Sequence, residues 1–357
     1  MKRVRAASRL LALAFPSFLA FSIVAVPHAF AGIFPGSSWT VLQPQTVGLD
    51  ASKLNELKNL VQGSGMIVRY GYQVYSWGDI QEPRDWASAS KPVLSTFLML
   101  AVVEGKCSYQ STMAQYHTGG SSKDRSIKFV HLANQLSGYS RGENPSAAWA
   151  YNDHAMNLFG YTLFHKVFGD SPSAVFEDKF DFFQFQDSPQ ISNGRYGRLT
   201  GVSIRDFARL GLFWLEEGKW GAVQHIPTYY FNVLDTPVPP TQPLSELDGP
   251  ESWDFGTFGG GDNDTEDGPG EYSFCFWVNT NGFIPGAPTD IFQAVGHGGS
   301  KACTMIPSLD LVAIGAEGAW GHPSTEAIQL LIEAAGGAVS ADEFDLSTWG
   351  RLKGRYR

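Results

Sequence analysis

The sequence predicts an α+β fold, because its hydrophobic periodicity changes twice along the chain. Short strand-like runs come first, helical runs fill the middle, and strand-like runs then return near the C-terminus. That order predicts an antiparallel sheet built from both terminal parts, flanked by helices and interrupted by a mainly helical insertion. No internal repeat competes with this layout.

The N-terminus is set aside before the fold is read. Lys2, Arg3, Arg5 and Arg9 precede an apolar run at 10–26, and Ala29-Phe30-Ala31 follows it. This is the layout of a secretory signal peptide spanning 1–31, cleaved after Ala31. A membrane anchor is the competing reading, but the run is short and holds Pro16 and Ser17. Gly32, not Cys, follows the cut, so no lipid anchor is expected. The mature chain is therefore expected to be exported, periplasmic or secreted, and off the membrane after cleavage.

Residues 32–357 are expected to form one domain, with a sheet subdomain at about 32–85 plus 271–357 and a helical one at about 86–270. In 49–61, Leu54, Leu57, Leu60 and Val61 recur at helical spacing behind Asp50, which is placed to cap the helix. Runs 65–70 and 73–77, joined at Gly71-Tyr72, predict a hairpin. Helices are predicted at 88–103, 127–136, 153–167 and 204–215. The segment 237–270 is rich in Pro, Gly and acids and predicts a long surface loop. Strands are then predicted at 272–278, 291–296, 302–306 and 311–314, with a last helix at 323–335.

Composition narrows the function. Loss of four cations with the leader takes the net charge from −9 to −13, which argues against nucleic acid and anionic lipid as partners. Three cysteines are too few for a disulfide scaffold. Cys275 and Cys303 either pair or stay buried thiols, and Cys107 is left over. The acidic run 262–267 could offer oxygen ligands to calcium, but it lacks the spacing of a calcium loop and reads as a solvated tip. His154 and His165 read as helix residues, so neither a metal nor a cofactor is expected.

Three clusters could carry chemistry. Ser88-Ala89-Ser90-Lys91 opens a helix, and a spacing of three puts Ser88 and Lys91 on one face. Free N–H groups at a helix start favour a developing oxyanion, and a nearby lysine can take the serine proton if burial lowers its pKa. Such a quartet also arises by chance in a chain this long. Tyr151, in Trp149-Ala150-Tyr151-Asn152-Asp153, could serve as a phenolate base or proton relay, or simply pack as an aromatic. Gly296-His297-Gly298-Gly299-Ser300-Lys301 links two strands where glycines admit a close backbone, though His-Gly-Gly alone is an ordinary turn.

Taken together, these clusters resemble the serine β-lactamase and penicillin-binding protein superfamily, in its class C and esterase-like branch. Its motifs are Ser-x-x-Lys, Tyr-x-Asn, and Lys-Thr-Gly or a His-x-Gly variant. Val74–Asp79 before the serine, His131–Tyr139, Leu199–Val202 with Ala208–Gly211, and Ile306–Val312 are similar to further segments of that family. The resemblance implies a β-lactamase/transpeptidase-like fold and an acyl-enzyme on Ser88. It also implies base and acid work shared by Lys91 and Tyr151, and an oxyanion hole from the N–H groups of Ser88 and Ser300. Asp153, His297, Gly298 and Gly299 would face the substrate.

Two positions depart from the pattern. Asp153 stands where the second motif has asparagine, and His297 stands where many relatives carry lysine. A carboxylate beside Lys91 favours the ammonium and moves the base role toward Tyr151. Both changes make the pocket less cationic. A small-molecule carboxyl ester or small amide is thus expected ahead of a β-lactam or D-Ala-D-Ala peptide. The reading of another class is a wall- or ligand-binding module that kept the fold and lost the chemistry. Oligomeric state is not expressed in the sequence.

Overall fold

The computed structural model describes residues 33–194, 197–241, 251–255, 268–320 and 325–336. The expected signal peptide, the acidic run 262–267 and most of the 237–270 loop lie outside them.

Helix α1 (Ala51–Val61) starts where the sequence places it, with Asp50 Oδ1 accepting the Ser52 N–H at 2.7 Å. Its buried face of Leu54, Leu57 and Val61 packs against the C-terminal helix. Strands β1 (Ser64–Arg69) and β2 (Tyr72–Trp77) form the expected hairpin. It turns at Tyr70 and Gly71, both with positive φ, as strand twist requires of a tight connection. Next come α2 (Lys91–Val103), α3 (Asp153–Tyr161), the short β3 (Leu199–Gly201) and α4 (Ile204–Leu215). The C-terminal part supplies β4 (Tyr272–Ser273), β5 (Phe276–Val278), β6 (Phe292–Gly296), β7 (Lys301–Ile306), β8 (Leu311–Ala316) and α5 (Thr325–Ala334).

Seven of these strands form one sheet in the order β2-β1-β8-β7-β6-β5-β4, antiparallel throughout. Strands from both ends of the described chain thus meet at the β1–β8 pair, and the α+β class holds. All six residues of β8 are buried. Helix α4 lies on β7 and β8, and Gly211 lets it approach: a Cβ there would sit 2.7 Å from Cys303 Sγ and 2.8 Å from Val312 Cγ1.

Local details depart from the sequence reading. The single strand expected at 272–278 is a hairpin turned at Phe274 and Cys275, with φ of 47° and 67°. Tertiary bonds replace the usual Asn-Gly: Asn134 Oδ1 accepts the Phe274 N–H at 2.9 Å, and Ala133 O accepts that of Cys275 at 2.8 Å. The helix expected at 153–167 is α-helical to Tyr161 and then π-helical over Thr162–Phe168. Thr162 Oγ1 donates to Leu158 O at 2.7 Å, the back-bond that perturbs helices at such residues. All three cysteines are free thiols, two of them buried, which decides between the two readings of Cys275 and Cys303.

Candidate active site

The approach to Ser88 is built by pairing two distant segments. Arg84 and Val202 exchange backbone hydrogen bonds at 3.0 and 3.1 Å, and the Trp86 N–H reaches Leu199 O at 2.9 Å. The buried Trp86 ring donates its Nε1 to Val202 O at 2.8 Å. The chain then turns sharply at Ala87, whose φ of 48° is uncommon for a residue with a Cβ. Ser88 follows in a 3-10 turn, Ala87–Ser90, that leads directly into α2. Ser90 Oγ is buried and accepts the Leu199 N–H at 2.9 Å, so this serine ties the turn to β3.

Lys91 meets all three of the side chains expected around it. Its Nζ donates to Ser88 Oγ at 2.8 Å, lies 2.9 Å from Asp153 Oδ1, and sits 4.5 Å from the centre of the Tyr151 ring. Only 11 % of the lysine side chain is exposed. Burial alone would lower its pKa, but Tyr151 and Asp153 outweigh burial and hold it above the ordinary lysine value. Tyr151 is itself raised by burial, against the pull of Lys91 and a hydrogen bond with Ser88. Around Tyr151 stand Trp277, stacked at 6.3 Å, the tilted ring of Trp149 and the edge of Tyr272. Asn152 faces inward: its Oδ1 caps α3 at the Ala155 N–H (3.2 Å), and its Nδ2 donates to Tyr139 O at 2.6 Å. Capping α3 in this way sets Asp153 at its first position, aimed at the lysine.

The third cluster forms the connection between β6 and β7. Strand β6 ends at Gly296, whose Cα lies flat on the Ser88 turn; a Cβ there would be 2.6 Å from the Ala89 nitrogen, 2.7 Å from Trp86 O and 3.0 Å from the Ser88 nitrogen. His297, Gly298 and Gly299 then follow with φ of 51°, 60° and 81°. This turn closes with the Ser300 N–H donated to His297 O at 3.1 Å. The Ser300 N–H thus closes the turn, and the backbone lying against the Ser88 nitrogen is that of Gly296. Pairing of Lys301 with Gly296 leaves the four intervening residues as the β6–β7 turn. His297 and Gly298 are exposed, while Gly299 is buried.

The pocket itself is lined by Ser88, Lys91, Asp153, Asn157, Arg198 and the apolar Leu94 and Met156, among others. Asp85 and Arg198 escaped the sequence reading. Arg198 forks onto Asp85 with Nε and Nη2 donating at 2.7 Å each, across 113 positions of chain. No local pattern signals such a pair. Lys301 Nζ donates to the Asp85 carbonyl. Among the described residues, no cluster of three or more His, Cys, Asp or Glu could hold a metal, and no helix is long and apolar enough to cross a membrane.

No family model matches this chain, and no curated protein does. Solved structures do match. A β-lactamase from Mycobacterium bovis superposes with a TM-score of 0.57 at 12% identity, covering 79% of this chain and 98% of its own. The octameric penicillin-binding protein homologue of Pyrococcus abyssi gives 0.57 at 15%, covering 84% and 79%. A β-lactamase/D-alanine carboxypeptidase from Pseudomonas syringae gives 0.55 at 11%, covering 83% and 99%. The chain has the fold of the serine β-lactamases and penicillin-binding proteins.

Proposed function

We propose that this protein is an exported serine hydrolase that forms an acyl-enzyme on Ser88 with a carboxyl ester or small amide. The observation that carries the reading is the 2.8 Å hydrogen bond between Lys91 Nζ and Ser88 Oγ at the head of α2. The neighbours named β-lactamase and D-alanine carboxypeptidase support a hydrolase in general. Export rests on the 1–31 leader pattern alone.

In the resting state Lys91 is an ammonium and Tyr151 a neutral phenol, because each pKa stands above its ordinary value. The two titrate as a pair. Once one proton leaves, Asp153 holds the remaining one on Lys91 more strongly than on Tyr151, and the phenolate takes the Ser88 proton as Oγ attacks the carbonyl carbon. The carbonyl electrons move onto an oxygen held by the Ser88 N–H, with the Ser300 N–H of the β6–β7 turn as the second donor. Collapse expels the alcohol or amine, protonated by Tyr151, and water repeats the sequence to release the acid.

A neutral substrate fits the charge balance. The pocket's cations are Lys91, paired with Asp153, and Arg198, paired with Asp85. An anionic β-lactam or peptide carboxylate would compete with those acids, which is why an ester or small amide is favoured over the β-lactamase or carboxypeptidase alternative.

The test is hydrolysis of a short-chain nitrophenyl ester by the mature protein and by Ser88→Ala, alongside fluorophosphonate labelling. Activity and label that both vanish in the variant support the reading. Equal rates in the two proteins remove Ser88 from the mechanism. A wild type that resists the label favours the binding-module reading, for which the Lys91–Asp153 ion pair is the structural argument.

A further inference from the structure

We propose that Asp85 is a positioning residue that holds Ala87 in its left-handed conformation and thereby presents Ser88, with Arg198 and Lys301 fixing Asp85 in turn. The inference rests on Ser88 being the nucleophile.

Ala87 carries a Cβ at a φ of 48°, a conformation that costs free energy for any residue but glycine. Something must hold it there. The Asp85 carboxylate is the group that does so locally, since Oδ1 accepts the Ala87 N–H at 2.8 Å. Asp85 is anchored from two further directions. The Arg198 fork occupies both carboxylate oxygens at 2.7 Å, and the Lys301 ammonium takes its backbone carbonyl.

The clamp therefore joins the nucleophile turn, the entry to β3 and the start of β7. Lys301 pairs with Gly296, the residue lying against the Ser88 nitrogen. Both walls of the oxyanion site thus hang on the same carboxylate residue. Arg198 and Asp85 are 24 % and 37 % exposed, so the pair adds little to global stability. A bidentate fork fixes orientation, however, and an error of about 1 Å at a reacting group costs roughly a hundred-fold in rate. Arg198 and Asp85 act through the backbone and touch no reacting atom.

The prediction is that glycine at position 87 makes the clamp dispensable, because glycine adopts positive φ without steric cost. The experiment measures the second-order rate of fluorophosphonate labelling at Ser88, located by mass spectrometry, together with Tm. Asp85→Ala is expected to label roughly ten- to a hundred-fold more slowly than wild type. The double variant Asp85→Ala/Ala87→Gly should recover most of that loss. Arg198→Lys keeps the charge but not the fork, and should be slowed less and rescued by the same glycine.

Labelling of Asp85→Ala at the wild-type rate overturns the proposal. So does a slow Asp85→Ala that Ala87→Gly fails to rescue, which would mark a merely structural residue. If Asp85→Ala does not fold, Arg198→Lys with and without Ala87→Gly makes the same comparison: rescue supports the clamp and its absence overturns it. A wild type unlabelled at Ser88 would instead overturn the nucleophile reading, and this inference with it.

Discussion

Two carboxylate–cation pairs flank Ser88, and they do different work. On the α3 side, Asp153 lies 2.9 Å from Lys91, which itself touches the serine oxygen. On the β3 side, Asp85 is gripped by Arg198 and reaches the serine only through the Ala87 peptide. In the proposed mechanism the first pair sets where protons reside, because its cation is titratable and hydrogen-bonded to Ser88. The second sets where atoms reside, because its cation never titrates and its acceptor holds the backbone. The lesson is that an ion pair's role follows from what its members touch, not from its charges.

The largest effect expected on this comparison comes from Gly296→Ala. Its Cβ would meet main-chain atoms of Trp86, Ser88 and Ala89 that have no side-chain freedom to yield. Labelling and ester hydrolysis should fall by about a hundred-fold with the pH profile unchanged in shape. A variant with near wild-type rates would show that the turn has slack, and the geometric half of the comparison would break.

Asp153→Asn sharpens the proton half. Removing the carboxylate removes a negative charge that raises both Lys91 and Tyr151, so both pKa values fall. The ascending limb of the pH–rate profile should then move to lower pH, with maximal rates changed far less than by Gly296→Ala. An unmoved limb would remove Asp153 from the proton chemistry. Asp85→Asn makes the converse test. It keeps an oxygen for the Ala87 N–H but loses the ion pair, so a drop of a few-fold at unchanged pH dependence is expected.

Two smaller effects belong to neither pair. Ser203→Ala removes the Oγ that caps α4 at the Asp206 N–H (3.1 Å) and should cost about 1 kcal/mol, a few degrees in Tm, while Ser88 labels at its normal rate. His117 is buried beside Thr162 at 2.7 Å, and burial lowers its pKa to about 4. Unfolding lets it take a proton near its ordinary value of about 6.5, so the unfolded state binds more protons between those values. Stability therefore falls as pH drops from about 6.5 to 4, and His117→Gln should flatten Tm against pH across that window. An equal slope in both proteins would assign the acid sensitivity elsewhere.

The sequence by itself determined much of the layout. Helical spacing of Leu54, Leu57 and Val61 located α1, and α4 falls at the residues its periodicity marks. Ser88, Lys91, Tyr151 and Asp153 were legible because each belongs to a short local pattern, and the fold brings the four together. Local patterns also misled. The 272–278 run reads as one strand because Phe274 and Cys275 carry no turn signal; the turn is made by Ala133 and Asn134, far away in the chain. The role of Ser300 came from the family resemblance, and only the structure shows that its N–H also closes the β6–β7 turn onto His297 O.

Only the tertiary structure could decide the Asp85–Arg198 grip, the close approach of Gly296, and the charge state of Lys91. Each depends on which distant atoms lie within hydrogen-bonding or van der Waals reach. Periodicity and motif report a residue's neighbours along the chain, whereas distance, burial and dielectric are properties of neighbours in space.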